Sequence, residues 1–385
     1  MIKTRITASK TLMLLQQVKD LKASGQDIIS FTAGESDFAT PEEIVLEAYK
    51  SMQSGDTRYV SSQGLIELRQ AVAEDYKNRM ECQWSTKEHV LITAGSKQGL
   101  YLALTALASE RDEVIVPSPY WVSYPSLVKC SHAKAVFLET SAQNNYFPTI
   151  AELEKAKSNK TKALLFSSPS NPSSKLIDPT LLRDIFAWCL KNNICLIFDE
   201  IYERLVYGDT KHLCPGALIK KEEELENLIL INACSKSMAM TGWRLGYLLS
   251  SKKNVEALTA IQSQMLTCVA PFIQKAGVWG INNANAFLPE VVQSFKSRRD
   301  LMCSLLSEKG FEHTKAEGAF YSLVNVDSLI KDLALKDDVE FAKYLLEKQK
   351  LAVVPGSSFG IKNHIRLSFA CSEQDIKEGV KRLCL

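Results

Sequence analysis

The stretch Ile194-Cys195-Leu196-Ile197-Phe198-Asp199-Glu200-Ile201-Tyr202 decides the fold, because five apolar residues in succession end on a carboxylate. A strand that is apolar at every position has both faces covered, as central strands of largely parallel sheets do. Outward from it, apolar runs of strand length recur at Val90 to Thr93, Val114 to Pro117, Ala163 to Phe166 and Leu228 to Ile231. Helical patterns such as Gly99 to Ala108 and Pro179 to Lys191 lie between them. This alternation predicts an α/β fold in which a mostly parallel sheet is wrapped by helices. Ligands of such sheets bind beyond the carboxyl ends of the strands. At those ends stand Ala94-Gly95-Ser96-Lys97, Pro119-Tyr120-Trp121, Ser168-Pro169-Ser170-Asn171-Pro172, Asp199 to Tyr202, and Ala233-Cys234-Ser235-Lys236. One edge therefore receives a glycine turn, an aromatic ring, an amide, a carboxylate, a phenol and a lysine.

The last third reads differently. A long amphipathic helix from about 284 to 309 leads to a strand-like 319–326, a helix over 337–350 and a strand over 365–369, the pattern of a smaller α+β domain. Over the whole 385 residues, 46 Lys plus Arg against 44 Asp plus Glu give a charge of +2. A balanced charge supplies no large field of one sign, which argues against a nucleic-acid or membrane-surface partner. The 10 cysteines show no CxxC spacing and the 5 histidines stand apart, so neither a disulfide framework nor a metal site is expected, and a reducing cytoplasm fits. No apolar run has a membrane-spanning length. Lys3, Arg5 and Lys10 ahead of an apolar patch faintly suggest a transit peptide, but a first amphipathic helix is the preferred reading.

Several of the strand-end residues carry chemistry. Lys236 follows a buried strand, and burial beside cations such as Arg244 would unmask the free amine that a nucleophile needs. Asp199 at the end of a buried strand requires a cationic or hydrogen-bonded partner. A protonated ring nitrogen would serve, and so would a simpler role as a helix cap. Tyr202 follows on roughly the same face. Gly95-Ser96-Lys97 opens a helix whose amides suit an anion, Trp121 offers a flat face for stacking, and Arg366 alternates with Ile365 and Leu367, leaving its fork for a carboxylate. Each has a blander alternative in packing or solvation.

Together, in order, the segments Gly34 to Pro41, Tyr59 before Gln63-Gly64, Ala94 to Lys97, Ser118 to Trp121, Ser168 to Pro172, Asp199 to Tyr202, Ser235-Lys236 through Gly242 to Tyr247, and Ile365 to Ser368 carry a resemblance. The chain resembles the class I/II aminotransferases, pyridoxal-phosphate enzymes of fold type I, over nearly its whole length, and most nearly their bacterial-type aspartate aminotransferase branch. The resemblance implies a mostly parallel seven-stranded sheet in a large domain of residues 36–289, and a discontinuous small domain of 1–35 and 290–385. It implies pyridoxal 5'-phosphate as cofactor and Lys236 as the Schiff-base lysine that also moves the substrate α-proton. Asp199 would keep the pyridine nitrogen protonated, Tyr202 and Asn171 would bond the ring oxygen, and Trp121 would stack on the ring. Ser235, Arg244, Gly95, Ser96 and the neighbouring Lys97 would cradle phosphate.

The same resemblance assigns Arg366, with Asn171, Trp121 and the Gly34 backbone, to the substrate α-carboxylate. Lys97, Ser9 and Thr11 would meet a distal carboxylate, although Lys97 could instead only screen phosphate. Tyr59 would reach the neighbouring subunit's cofactor, which makes a homodimer with shared sites. The expected reaction is ping-pong transamination of L-aspartate with 2-oxoglutarate. The alternatives are prephenate, aromatic or alanine transamination, a carbon–sulfur β-lyase, or, less favoured, a regulatory domain that senses the cofactor. Ser36 stands where the family usually has proline, and Ser173-Ser174 where it usually has Thr-Gly.

Overall fold

A computed structural model describes residues 10–384. Its strands are β1 Ile29–Ser30, β2 Val90–Thr93, β3 Glu113–Ser118, β4 Lys134–Glu139, β5 Thr161–Ser167, β6 Cys195–Asp199, β7 Leu228–Ala233, β8 Gly246–Leu249, β9 Tyr321–Asn325, β10 Leu351–Ala352, β11 Val354–Pro355 and β12 His364–Ser368. Seven of them form one sheet in the order β2-β8-β7-β6-β5-β3-β4. Only β8 runs antiparallel to its neighbours.

The apolar run that opened the sequence reading is the sheet's centre. Side chains alternate across a strand, and here the alternation divides two cores. Leu196 and Phe198 of β6, with Leu228 and Leu230 of β7, face one apolar cluster. Cys195, Ile197, Ile229 and Ile231 face another. Each such side chain contributes roughly 1.5–3 kcal/mol by leaving water, and truncating Leu196 to alanine would cost about 2–5 kcal/mol. Helix Pro179–Lys191 covers one face through Leu182, Ile185, Phe186 and Cys189, at the spacing of a single helical stripe. Asp178 starts this helix by accepting from the amides of Thr180 and Leu181 at 2.8 and 3.1 Å.

Two strands of the sheet escape the sequence reading. The edge strand β4 is only partly covered, with Phe137 51% exposed, so it lacks the continuous burial of the others. The other, β8, is four residues long and begins inside the Gly242 to Tyr247 motif, running two residues past it.

The C-terminal part forms a three-stranded antiparallel sheet, β11-β12-β9, backed by helix Leu288–Glu308 and helix Glu373–Leu383. The helix expected from 284 is a short turn at Ala284–Ala286 followed by Leu288–Glu308. The N-terminal segment packs here: β1 pairs with β10, Ile29 and Phe31 join the apolar cluster of Phe295, Tyr321 and Leu367, and Val18 meets Leu346. Tyr202, Leu205 and Tyr207, from the loop after β6, enter the same cluster and bind the two parts together.

Candidate active site

Because β8 runs against the rest of the sheet, it begins at the edge where β2 and β7 end. Arg244, two residues before β8, therefore arrives beside Gly95. Gly95 lies at φ 78°, and a Cβ there would strike the Arg244 guanidinium. A Cβ on Gly246 would stand 2.5 Å from the Gly95 carbonyl carbon. The two glycines thus let a guanidinium, bare backbone and the start of helix Ser96–Leu107 crowd together. That helix has no acid in its first turn, and its free amides favour an anion. Arg244 is held by the carbonyls of Thr241 and Ala94, at 2.8 and 3.3 Å. Ser96 and Ser235 are buried alongside.

Lys236 lies on the single turn Cys234–Ser237 after β7, and its Nζ donates to the Gly34 carbonyl. Burial pushes its amine down to about 8 and the Arg366 and Arg244 cations reinforce this, while the Glu35 and Asp199 carboxylates oppose it. Asp199 is buried and has no ion pair among the described residues. It accepts from the Tyr124 hydroxyl at 2.9 Å and from the Ile201 amide at 3.2 Å. Burial raises its carboxyl to about 6; these two hydrogen bonds hold it back, with Lys236, while Glu200 pushes it further up. Tyr124 stands edge-on to Trp121, ring centroids 5.6 Å apart, and Lys97 Nζ lies 4.9 Å from the Trp121 ring centre. Burial and the Arg244 charge lower the Lys97 amine.

Arg366 on β12 is 2% exposed. It donates to Asn171 Oδ1 and to the Thr32 carbonyl, each at 3.0 Å, and rests on the rings of Tyr321 and Phe359 at 4.2 and 5.0 Å. Its Nε has no partner, and no carboxylate is within reach among the described residues. Alternation does set Arg366 opposite Ile365 and Leu367, but both faces are buried, so the guanidinium lies within the protein rather than on a solvated face. The Tyr202 hydroxyl meets the Tyr321 hydroxyl at 2.8 Å, and the Asn171 oxygen is taken by Arg366.

Asn171 bonds Arg366 directly, Tyr202 reaches it through Tyr321, and the charges of Asp199 and Arg366 act on both Lys236 and Tyr202, while Gly95, Ser96, Lys97, Arg244, Ser235 and Trp121 line the adjoining edge. Tyr59 stands apart, 85% exposed. Ser9 and the Thr11 side chain lie outside the described residues. Sequence reasoning passed over Tyr124, Tyr321 and Thr32. Tyr124 had a local signal, an aromatic with a polar tip three residues after Trp121; Tyr321 and Thr32 become neighbours of the site only through folding.

The set fits pyridoxal 5'-phosphate. Asp199 is a buried acid lacking a cation and could hold a pyridinium nitrogen, Lys236 is an amine unmasked near neutral pH, and Gly95, Ser96 and Arg244 form an anion cradle. Arg366 is a buried cation lacking an anion. Among the described residues no cluster of His, Cys, Asp and Glu could hold a metal ion, and no helix is long and apolar enough to cross a membrane. All ten cysteines are free.

Known proteins agree with this chemistry. The family model "aminotransferase class I and II" matches residues 26–383. An aspartate aminotransferase of Bacillus subtilis is 37% identical over 379 residues, 98% of this chain and 96% of the relative. A probable aspartate/prephenate aminotransferase of Aquifex aeolicus is 34% identical over 384 residues, covering 99% and 96%. The solved aspartate aminotransferase of Thermus thermophilus with maleate superposes with a TM-score of 0.93 at 32% identity, covering 100% of this chain and 99% of that one. With a family match over nearly its whole length and a strand edge fitted to the cofactor, the chain belongs to the class I and II aminotransferases, pyridoxal-phosphate enzymes of fold type I.

Proposed function

We propose that the chain catalyses transamination between L-aspartate and 2-oxoglutarate, giving oxaloacetate and L-glutamate in a ping-pong cycle. The observation that carries this is the buried guanidinium of Arg366, which has hydrogen-bond partners on two nitrogens but no carboxylate. A buried cation without an anion is costly, and a substrate α-carboxylate would complete it bidentately. Lys97, held against Trp121, supplies a second cation for a distal carboxylate. Ser9 and Thr11 would assist there. The aspartate named in the relatives, and the maleate of the Thermus structure, are consistent with a site for dicarboxylates. Prephenate, an oxo acid, also carries two carboxylates, so the Aquifex relative's name keeps it, as the amino acceptor in place of 2-oxoglutarate, as the second reading.

Bound pyridoxal phosphate supplies an electron-withdrawing ring that stabilises negative charge at the substrate α-carbon. Lys236 Nζ would anchor the cofactor and would serve as the base that takes and gives back the substrate α-proton, a role its lowered basicity suits. Asp199 holds a proton on the ring nitrogen, Tyr202 donates to the ring oxygen and Asn171 steadies Arg366. Gly95, Ser96, Ser235 and Arg244 hold the phosphate. Trp121 stacks on the ring, and the Gly34 carbonyl, which now takes Lys236 Nζ, borders the substrate.

The proposal extends to assembly. Helix Glu42–Gln53 leaves Val45, Leu46, Tyr49 and Met52 exposed at 42–52%, and Ile66 is also exposed. Apolar area of that kind on one face marks an interface. We assign it to a homodimer in which Tyr59 reaches the partner's phosphate. Residues 36–289 act as the cofactor domain, 1–35 with 290–385 act as the small domain, and the protein works in the cytoplasm.

A donor panel with 2-oxoglutarate is the test. Aspartate should be used fastest, and Lys97→Ala should weaken acidic donors selectively. Faster aromatic or alanine turnover, an aspartate amino group passed to prephenate faster than to 2-oxoglutarate, or β-elimination from a thioether amino acid, with Lys97→Ala silent, would refute the assignment.

A further inference from the structure

The loop after Asn171 is fastened to the turn before β9. Ser174 lies at φ 56°, where glycine would sit without strain. Its carbonyl accepts from the amides of Glu317 and Gly318 at 2.9 and 3.1 Å, and its Oγ accepts from the Tyr321 amide at 3.1 Å. The Glu317 carboxylate accepts from Lys175 Nζ at 2.5 Å and from the Leu176 amide at 2.8 Å. Tyr321 is thereby fixed at the first residue of β9 with its ring under Arg366 and its hydroxyl 2.8 Å from that of Tyr202. Tyr202 is the only described hydrogen-bond partner of the Tyr321 hydroxyl.

We infer that Tyr321 is a positioning residue for Tyr202, and that Ser174 Oγ sets Tyr321 in place: the Tyr321 hydroxyl donates to the Tyr202 oxygen and so leaves the Tyr202 hydrogen for the cofactor ring oxygen. The inference rests on the transaminase reading above. Two hydroxyls that meet can share only one hydrogen between them. If Tyr202 gave its hydrogen to Tyr321, none would remain for the ring. Once Tyr202 donates elsewhere, the buried Tyr321 hydroxyl is satisfied only by donating to Tyr202. Burial raises both hydroxyls, that of Tyr202 the further, and the Arg366 cation 4.2 Å from the centre of the Tyr321 ring opposes the rise there, which leaves Tyr321 the better donor of the pair. A donor that is itself hydrogen-bonded in this way is strengthened. Asp199, Arg366 and Tyr321 are the charged and titratable groups that act on Tyr202.

The test uses holoenzyme. Tyr321→Phe keeps the ring beneath Arg366 and removes only the hydroxyl. It should lower kcat with aspartate about five- to tenfold, the range for loss of one hydrogen bond, and leave KM within about twofold because the Arg366 platform is retained. A hydroxyl donated to an oxygen anion favours the deprotonated form, so the midpoint of the pH titration of the bound cofactor's visible absorbance should rise by about half to one unit. Tyr321→Leu, which removes the ring too, should add a rise in KM. Ser174→Gly relieves the backbone but lacks Oγ, and it should move the midpoint in the same direction by less. If the Tyr321→Phe protein does not fold, Ser174→Gly decides alone. Wild-type kcat and midpoint in Tyr321→Phe, or a more stable Ser174→Gly with the wild-type midpoint, would overturn the inference. A wild-type chain that takes up pyridoxal phosphate but transaminates no donor would overturn the reading beneath it instead.

Discussion

Replacing Asp199 by asparagine should stabilise the cofactor-free protein, and the gain should depend on pH in a way that identifies the residue. Burial holds the folded carboxyl at about 6, whereas the unfolded chain has it near 3.8. A raised acid binds its proton more tightly when folded, so stability is undiminished below the unfolded value and falls as pH rises through the folded one. The gap of about 2 units corresponds to about 3 kcal/mol, fully expressed above pH 6 to 7, of which about 2 kcal/mol appears between pH 4.5 and 8. Asparagine carries no charge and can still accept from Tyr124. The difference in urea unfolding free energy between Asp199→Asn and wild type, both without cofactor and at one protomer concentration, should therefore grow with pH and level off above about pH 7. Taking the difference removes any constant effect of the substitution. A flat difference across that range, or one that grows toward acid, would show that the carboxylate is not a destabilised charge and would remove the physical case for its pairing with a ring cation.

The same reasoning extends to other groups. Lys236→Ala should lose the bound cofactor's visible absorbance and the activity together; turnover at the wild-type rate would end the assignment of that lysine. In the cofactor-free wild type, Lys236 should react with an amine-selective reagent with a pH midpoint of about 8, and a midpoint at the usual lysine value would contradict its burial. Lys97→Ala should reduce kcat/KM for aspartate by about ten- to a hundredfold, as loss of one specificity contact does, while leaving alanine within a few-fold; equal losses for both would mean that Lys97 serves the phosphate. Mixing inactive Tyr59→Ala and Lys236→Ala subunits should recover roughly a quarter of wild-type activity if Tyr59 completes the neighbour's site, because half of randomly formed dimers are hybrids with one intact site. No recovery would place the action of Tyr59 within its own chain.

The central sheet was legible because β6 and its neighbours are buried on both faces, and that condition calls for continuous apolar runs. The edge strand β4 is the converse case: Ala135 to Leu138 is an apolar run as long as that of β2, yet among the described residues it pairs with β3 alone and leaves Phe137 in solvent, so an apolar run does not by itself mark a strand covered on both faces. For β8, even a correct strand assignment would not have supplied its direction. Four residues bounded by Leu245 and Ser250 read alike either way, and the reversal is apparent only from its pairing with β2 and β7. That reversal matters chemically. A parallel β8 would carry Arg244 to the opposite edge of the sheet, away from Gly95.

Within the site, legibility followed how charge is distributed along the chain. Lys236, Asp199 and Arg366 declare themselves because an ionisable group beside an apolar strand needs a reason to be there. Tyr321 gives no such signal. It begins a strand in which a buried tyrosine is ordinary packing, and its role depends on a hydroxyl from residue 202 and a cation from residue 366. Ser174 is the converse case: its departure from the usual glycine is visible in the sequence, but the Oγ contact that gives the departure a purpose spans 147 residues. A serine kept at positive φ is a strain of order 1 kcal/mol, and one hydrogen bond to a buried amide is of the same size. The two nearly cancel, so stability alone gives serine no advantage over glycine here, and what distinguishes them is the position of Tyr321.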